Sequence, residues 1–153
     1  MDKPLLTPPQ ERALHASLLI FEKALRTADH LLSVGEEQGI YYFRKSDLTP
    51  AARESLRQLI QNTLLELEAF SKTVNIKPLM ENLEGNIMGD MSISWESLEE
   101  SRSRRMTGYG ALNPLAKEVI DPAIDHFAKI ALEICNLTMP RTPEEMTDME
   151  LWP

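Results

Sequence analysis

Residues 7–35 read TPPQERALHASLLIFEKALRTADHLLSVG, and their spacing decides the fold class. Leu14, Leu18, Phe21, Leu25, Ala28 and Leu32 recur in alternating steps of four and three, which lines them along one face of an α-helix. Thr7 stands before Pro8 as an N-cap, and Gln10 completes a capping box. Proline suits the first helical position because its missing N–H would have no partner there. Gly35 stops the helix. The stretch predicts one helix over 8–33.

The same punctuation recurs at Thr49-Pro50, Asn113-Pro114 and Thr142-Pro143, the last with Glu145 in a second capping box. A second helix is predicted from Pro50 to Val74, with Leu56, Ile60, Leu67, Phe70 and Val74 inward and Thr63 filling the gap. The stretch 77–95 is interrupted by Pro78, Gly85 and Gly89, so it predicts a short helix near 78–84. A third main helix follows over 94–106, closed by Gly108. The last begins at Pro114 and aligns Ala116, Ile120, Ala123, Phe127, Ile130, Ile134 and Leu137. Pro122 inside it predicts a kink, or a restart capped by Asp121. Apart from the ambiguous Ile40–Phe43 run, no strand-period segment stands out.

Three- and four-residue alternation on short-linked helices is the mark of antiparallel bundles. The expected architecture is all-α, an up-down-up-down four-helix bundle with a broken third helix and a short C-terminal helical turn. Residues 1–139 form the bundle domain. Residues 140–153 form an acidic tail whose Met146, Met149, Leu151 and Trp152 suit docking.

Composition narrows the function. At 153 residues, with 42% hydrophobic and 26% charged residues, the chain reads as one globular domain. Its formal charge of −8 argues against duplex nucleic acid, whose phosphates demand Lys and Arg. A single cysteine, Cys135, precludes an internal disulfide and suits a reducing cytoplasm. Asp2 and the early prolines do not make a signal peptide, and no apolar run is long enough to span a membrane. A soluble, cytoplasmic protein is expected.

Catalytic and metal chemistries lack their spacings. Residues three before the histidines are Arg12, Thr27 and Ala123, so no Glu-x-x-His pair exists. Three histidines and one cysteine leave no zinc pattern. His30 and His126 each follow an aspartate, but adjacent helical residues do not face each other, so a surface role is expected. Phosphate-loop and nucleophile-elbow motifs are absent. No catalytic residue, metal or cofactor is assigned.

One cluster stands out. Residues 99–114, EESRSRRMTGYGALNP, concentrate Arg102, Arg104 and Arg105 in an acidic chain. Cations are favoured at a helix C-terminus by ~0.3–1 kcal/mol, and Glu99 and Glu100 lie three before Arg102 and four before Arg104 as helical partners. Counted from Trp95, however, Leu98, Arg102, Met106 and Tyr109 share a face, and Arg105 follows. In an up-down-up-down bundle this end would also gather Tyr41, Tyr42 and Arg53. Gly108 and Gly110 would admit close approach of a ligand to the backbone. Glu36 or Asp121 are internal carboxylates that would satisfy the same arginines.

Two functions are expected from this. The first is a non-catalytic interaction or regulatory subunit, binding a protein partner or a second copy of itself. The alternative is a domain binding a small anion, a nucleotide or aromatic acid, through Arg53, Arg102, Arg105, Tyr109, Tyr41, Tyr42, Gly108 and Gly110.

Overall fold

The computed structural model describes residues 4–139 and is predominantly helical. The expected tail and its helical turn lie outside the described residues. The chain divides after Pro78 into two compact units.

In the first unit, helix α1 (Pro8–Val34) and helix α2 (Pro50–Thr73) form an antiparallel hairpin. The predicted capping box is formed: Thr7 Oγ1 accepts from the Gln10 N–H at 3.3 Å, and Gln10 Oε1 accepts from the Thr7 N–H at 2.9 Å. Gly35 ends α1 at φ 71°, ψ −130°, a conformation that disfavours any side chain. Residues 36–49 hold a small β-hairpin in which β1 (Glu37–Gln38) pairs antiparallel with β2 (Phe43–Arg44). Of the ambiguous run, Ile40–Tyr42 belong to its turn, and the Tyr42 ring folds over Gly39 where a Cβ would collide. Thr49 caps α2 through the Ala52 N–H at 3.1 Å.

At the far end of α2, Asn75 adopts φ 56°. The Ile76 N–H reaches the Ser71 carbonyl at 2.9 Å and the Asn75 N–H reaches that of Lys72 at 3.3 Å. This is the Schellman arrangement, which satisfies carbonyls a helix end otherwise leaves open. Ile60 and Ile76 are the buried apolar residues of this unit among those described. An ion pair between Arg57 and Asp29, at 3.2 Å, ties the two helices.

In the second unit, α3 (Leu83–Glu100) lies antiparallel to α5 (Pro114–Thr138), joined by the single turn α4 (Ser103–Met106), a 3₁₀ turn over Thr107–Tyr109 and an extended link. Helix α3 starts eleven residues before the predicted Ser94, because Asn82 caps it through the Gly85 N–H at 2.6 Å. Each interior glycine costs about 1 kcal/mol of helix propensity, a cost that packing along α5 offsets. The predicted helix over 78–84 is not formed, since α3 does not begin until Leu83. Helix α5 runs unbroken through Pro122. Pro122 is exposed and the helix is continuous across it, so the expected restart capped by Asp121 does not occur.

The α3–α5 seam is lined by small side chains on α5: Ala128, Ala131 and Cys135 are at most 7% exposed. Cys135 Sγ lies 3.8 Å from Ser92 Oγ and 3.9 Å from the Met88 carbonyl. The larger stripe expected to form the core runs one residue out of phase: Phe127 is 50% exposed and Leu137 72%. Small residues let the helix axes approach closely, so they take the seam and leave the bulky stripe at its edge.

Candidate functional site

The arginine cluster sits where α3 breaks into α4. Ser101 has left ideal helical geometry and Arg102 is extended at φ −63°, ψ 149°, so the face counted from Trp95 does not continue past it. Trp95, Leu98, Arg102 and Met106 are half-buried, but Tyr109 is 96% exposed. The break rotates the later residues out of register.

Arg102 is held by carboxylates. Its Nε donates to Glu99 Oε2 at 2.7 Å and its Nη2 to Glu99 Oε1 at 2.8 Å, a bidentate fork. Its Nη1 donates to Asp125 on α5. These hydrogen bonds, Glu99 first and Asp125 second, raise the guanidinium pKa further. They lower that of Glu99, whose first cause is the same bond from Arg102.

One turn earlier on α5, Asp121 accepts from the Ser103 N–H at 2.9 Å and from Ser103 Oγ at 2.7 Å. Ser103 is 4% exposed. Helix α4 has no capping side chain of its own at Arg102, so Asp121 supplies the cap from across the seam. The Ser103 backbone bond, then its hydroxyl, hold the Asp121 pKa down. Asp121 and Asp125 are spaced i, i+4 and face the same way. They pin the α3–α4 break to α5.

An open cleft of about 390 Å³ lies over this clamp, lined by Glu99, Arg102, Ser103, Arg104, Lys117 and Asp121. Arg104 and Arg105 are exposed. Arg105 Nη2 is 3.8 Å from Glu100, which therefore pairs with Arg105 and not with the expected Arg104. Gly108 and Gly110 are exposed, with open space around each.

The other sequence-derived site residues lie in the first unit. Tyr41 is 95% exposed and Tyr42 51%. Arg44 stands 5.5 Å from the Tyr42 ring centroid and pairs with Glu37 at 2.8 Å. Arg53 packs its guanidinium on Gly35, where a Cβ would meet Nη1 at 3.0 Å. It thereby brings a cation to the C-terminal end of α1, whose last turn carries no basic residue. Its Nε is buried without a hydrogen-bond partner.

Chemically, the clamp pairs opposite charges. Glu99 and Asp121 are both pulled below the usual carboxylate range, whereas a general acid or base works best with a pKa near the working pH. Among the described residues, no group of three or more His, Cys, Asp or Glu side chains is placed to hold a metal ion. His30 and His126 are exposed, the latter tilted against Phe127 at 5.6 Å between ring centroids. Asp125 stands 23 residues from Arg102, so local spacing does not mark it as a partner. Its i, i+4 relation to Asp121 was the available signal.

No protein-family model matches the chain, and neither the curated proteins nor the solved structures contain a match.

Proposed function

We propose that the protein is a non-catalytic helical subunit whose work is association, with residues 1–139 as its helical body and 140–153 as an acidic docking tail. One observation carries this reading. Two-helix layers bury one seam each, and among the described residues the buried apolar side chains are few and mostly small, while Phe21, Phe70, Phe127 and Leu137 stay 42–72% exposed. An amphipathic layer is stable only when its open face meets another layer. Packing hairpin on hairpin into an antiparallel four-helix bundle is the arrangement that the three-four stripes support. No helix among the described residues is long and apolar enough to cross a membrane, so these faces are assigned to protein.

Sedimentation across a concentration series, with binding of an apolar dye, tests the reading. A mass above the 17.4 kDa of one chain, or strong dye binding by a single chain, is expected. A lone chain that binds no dye and whose Tm ignores concentration overturns it.

The buried, unpartnered Nε of Arg53 favours a second reading, the binding of a small anion. It uses Arg53, Tyr41 and Tyr42 in the first unit, or Arg102, Arg105, Tyr109, Gly108 and Gly110 in the second. A thermal-shift series with phosphates, nucleotides and aromatic carboxylates tests it. Stabilisation that disappears in Arg53→Ala or in Arg102→Ala/Arg105→Ala supports a site, and a flat response ends the reading.

A further inference from the structure

We propose that the cleft over the α3–α4 break is a binding site for a phosphate group, held between Arg104 of α4 and Lys117 of α5. The proposal rests on the small-anion reading above, and gives it a different pair of residues and a narrower class of ligand.

Four cations of the second unit stand near the break, and two of them are committed. Arg102 gives Nε and Nη2 to Glu99 and Nη1 to Asp125. Arg105 pairs with Glu100 at 3.8 Å. Arg104 and Lys117 line the cleft, and among the described residues their side chains have neither a hydrogen bond nor an ion pair. The acids beside them are occupied. Glu99 accepts from Arg102 through both of its oxygens, and Asp121 from Ser103 through both of its own. After the Ser103 bonds, Lys117 adds through space to the lowering of the Asp121 pKa, and after Arg102, Arg104 does so for Glu99. Both cations therefore face the cleft's chemistry without being used by it. They are the donors that remain once the clamp has formed.

The walls narrow what these donors would take. Glu99, Arg102, Ser103, Arg104, Lys117 and Asp121 are all polar or charged. Tyr109, the ring expected from the sequence to serve this end, is 96% exposed and forms no part of the lining. The cleft thus offers no stacking platform for a base or an aromatic acid, and its ligand is polar throughout. Its volume of about 390 Å³ falls within the range of small-molecule sites, with room for a phosphate and a small polar carrier. A carboxylate presents two oxygens along one edge, which a single arginine fork fills. A tetrahedral phosphate also has oxygens to spare for the point charge of a lysine arriving from another helix. Bound there, it would join α4 to the first turns of α5 beside the Asp121–Ser103 cap.

Calorimetric titration of the full chain with inorganic phosphate and with a sugar phosphate, at ionic strength held constant with sodium chloride, tests this. The native chain is expected to bind, and the tighter of the two ligands shows whether the phosphate is free or esterified. Arg104→Ala and Lys117→Ala should each raise the dissociation constant roughly tenfold or more, as loss of a charged hydrogen bond does. Both side chains are exposed, so circular dichroism should show the fold retained. Arg12→Ala, an exposed cation on α1, should bind as the native chain does. Acetate that binds as tightly as phosphate overturns the ligand class. Phosphate binding that survives both Arg104→Ala and Lys117→Ala overturns the site, and its loss in Arg53→Ala would then place anion binding in the first unit. A native chain that ignores both phosphates overturns the proposal; one that also ignores nucleotides and aromatic carboxylates ends the reading beneath it.

Discussion

Replacing Phe127 by alanine and Ala128 by leucine, one residue apart on α5, separates two accounts of the core. If the three-four stripe through Phe127 were the interior, Phe127→Ala would cost ~3–5 kcal/mol, as large-to-small changes in cores do. Phe127 is instead 50% exposed. Full burial of such a side chain contributes roughly 1.5–3 kcal/mol, so half of it contributes about 0.75–1.5. The better helix propensity of alanine returns about 0.5 kcal/mol. The expected net cost within one chain is about 0.25–1 kcal/mol. Ala128 is 3% exposed in the α3–α5 seam. Three added carbons there have no space, and overpacking costs about 1–3 kcal/mol. The order of the two changes is therefore inverted relative to the periodicity argument. Urea titration followed by circular dichroism measures both, repeated over a dilution series. A Phe127→Ala cost that grows with concentration belongs to association and not to the fold. A cost above ~3 kcal/mol in the dilute limit, with Ala128→Leu tolerated, refutes the seam described for α5.

Asp121 caps α4 as an anion with its pKa lowered from 3.8 in the folded chain. The unfolded chain then takes up the proton first as pH falls, so the cap's contribution is full above the unfolded pKa and disappears as pH drops through the folded one. Urea midpoints of native and Asp121→Asn chains should differ by a constant amount from pH 8 to 5 and converge below about 4. Gly35→Ala should destabilise by about 1–3 kcal/mol, because φ is 71° and the new Cβ meets Arg53 Nη1 at 3.0 Å. Thermal melts in an Arg53→Ala background should recover the contact part and leave the backbone part. Thr7→Ala removes the cap of α1 and should cost ~1 kcal/mol, read as a lower urea midpoint; no change would show that the first turn is frayed.

Helix starts were the most legible feature, because each depends on a side chain acting on the backbone within a few residues. Thr7, Thr49 and Asn113 before proline locate three starts to the residue. Asn82 does the same for α3, but the glycines that follow obscured it. Those glycines are unfavourable only in an isolated helix, and α5 is a partner that local propensity cannot represent. The phase of α5 was harder. Its apolar arc is broad enough to hold two stripes. Periodicity locates the arc, whereas the choice of edge depends on how closely two axes approach. Bulk argued for Phe127 and Ile130, and close approach selected Ala128, Ala131 and Cys135.

The arginine cluster shows the same division between local and distant partners. Glu99 lies one turn before Arg102 and was read as its partner, and the structure has that fork. Asp125 lies 23 residues away, and only the antiparallel register of α3 and α5 brings it across. That register also decides what the cluster has left to offer. Arg102 meets two carboxylates, and Asp121 spends its charge on Ser103. The positive charge of Arg102 is thus matched by the acids that hold it, and its geometry is fixed from two helices. A ligand seeking this guanidinium must displace a bidentate Glu99 and a cross-seam Asp125 together. The exposed cation beside it, Arg104, is more open to approach, but the cleft it borders already contains Glu99 and Asp121. Lys117 lines the same cleft, so its two acids stand among three cations, of which Arg102 is already paired.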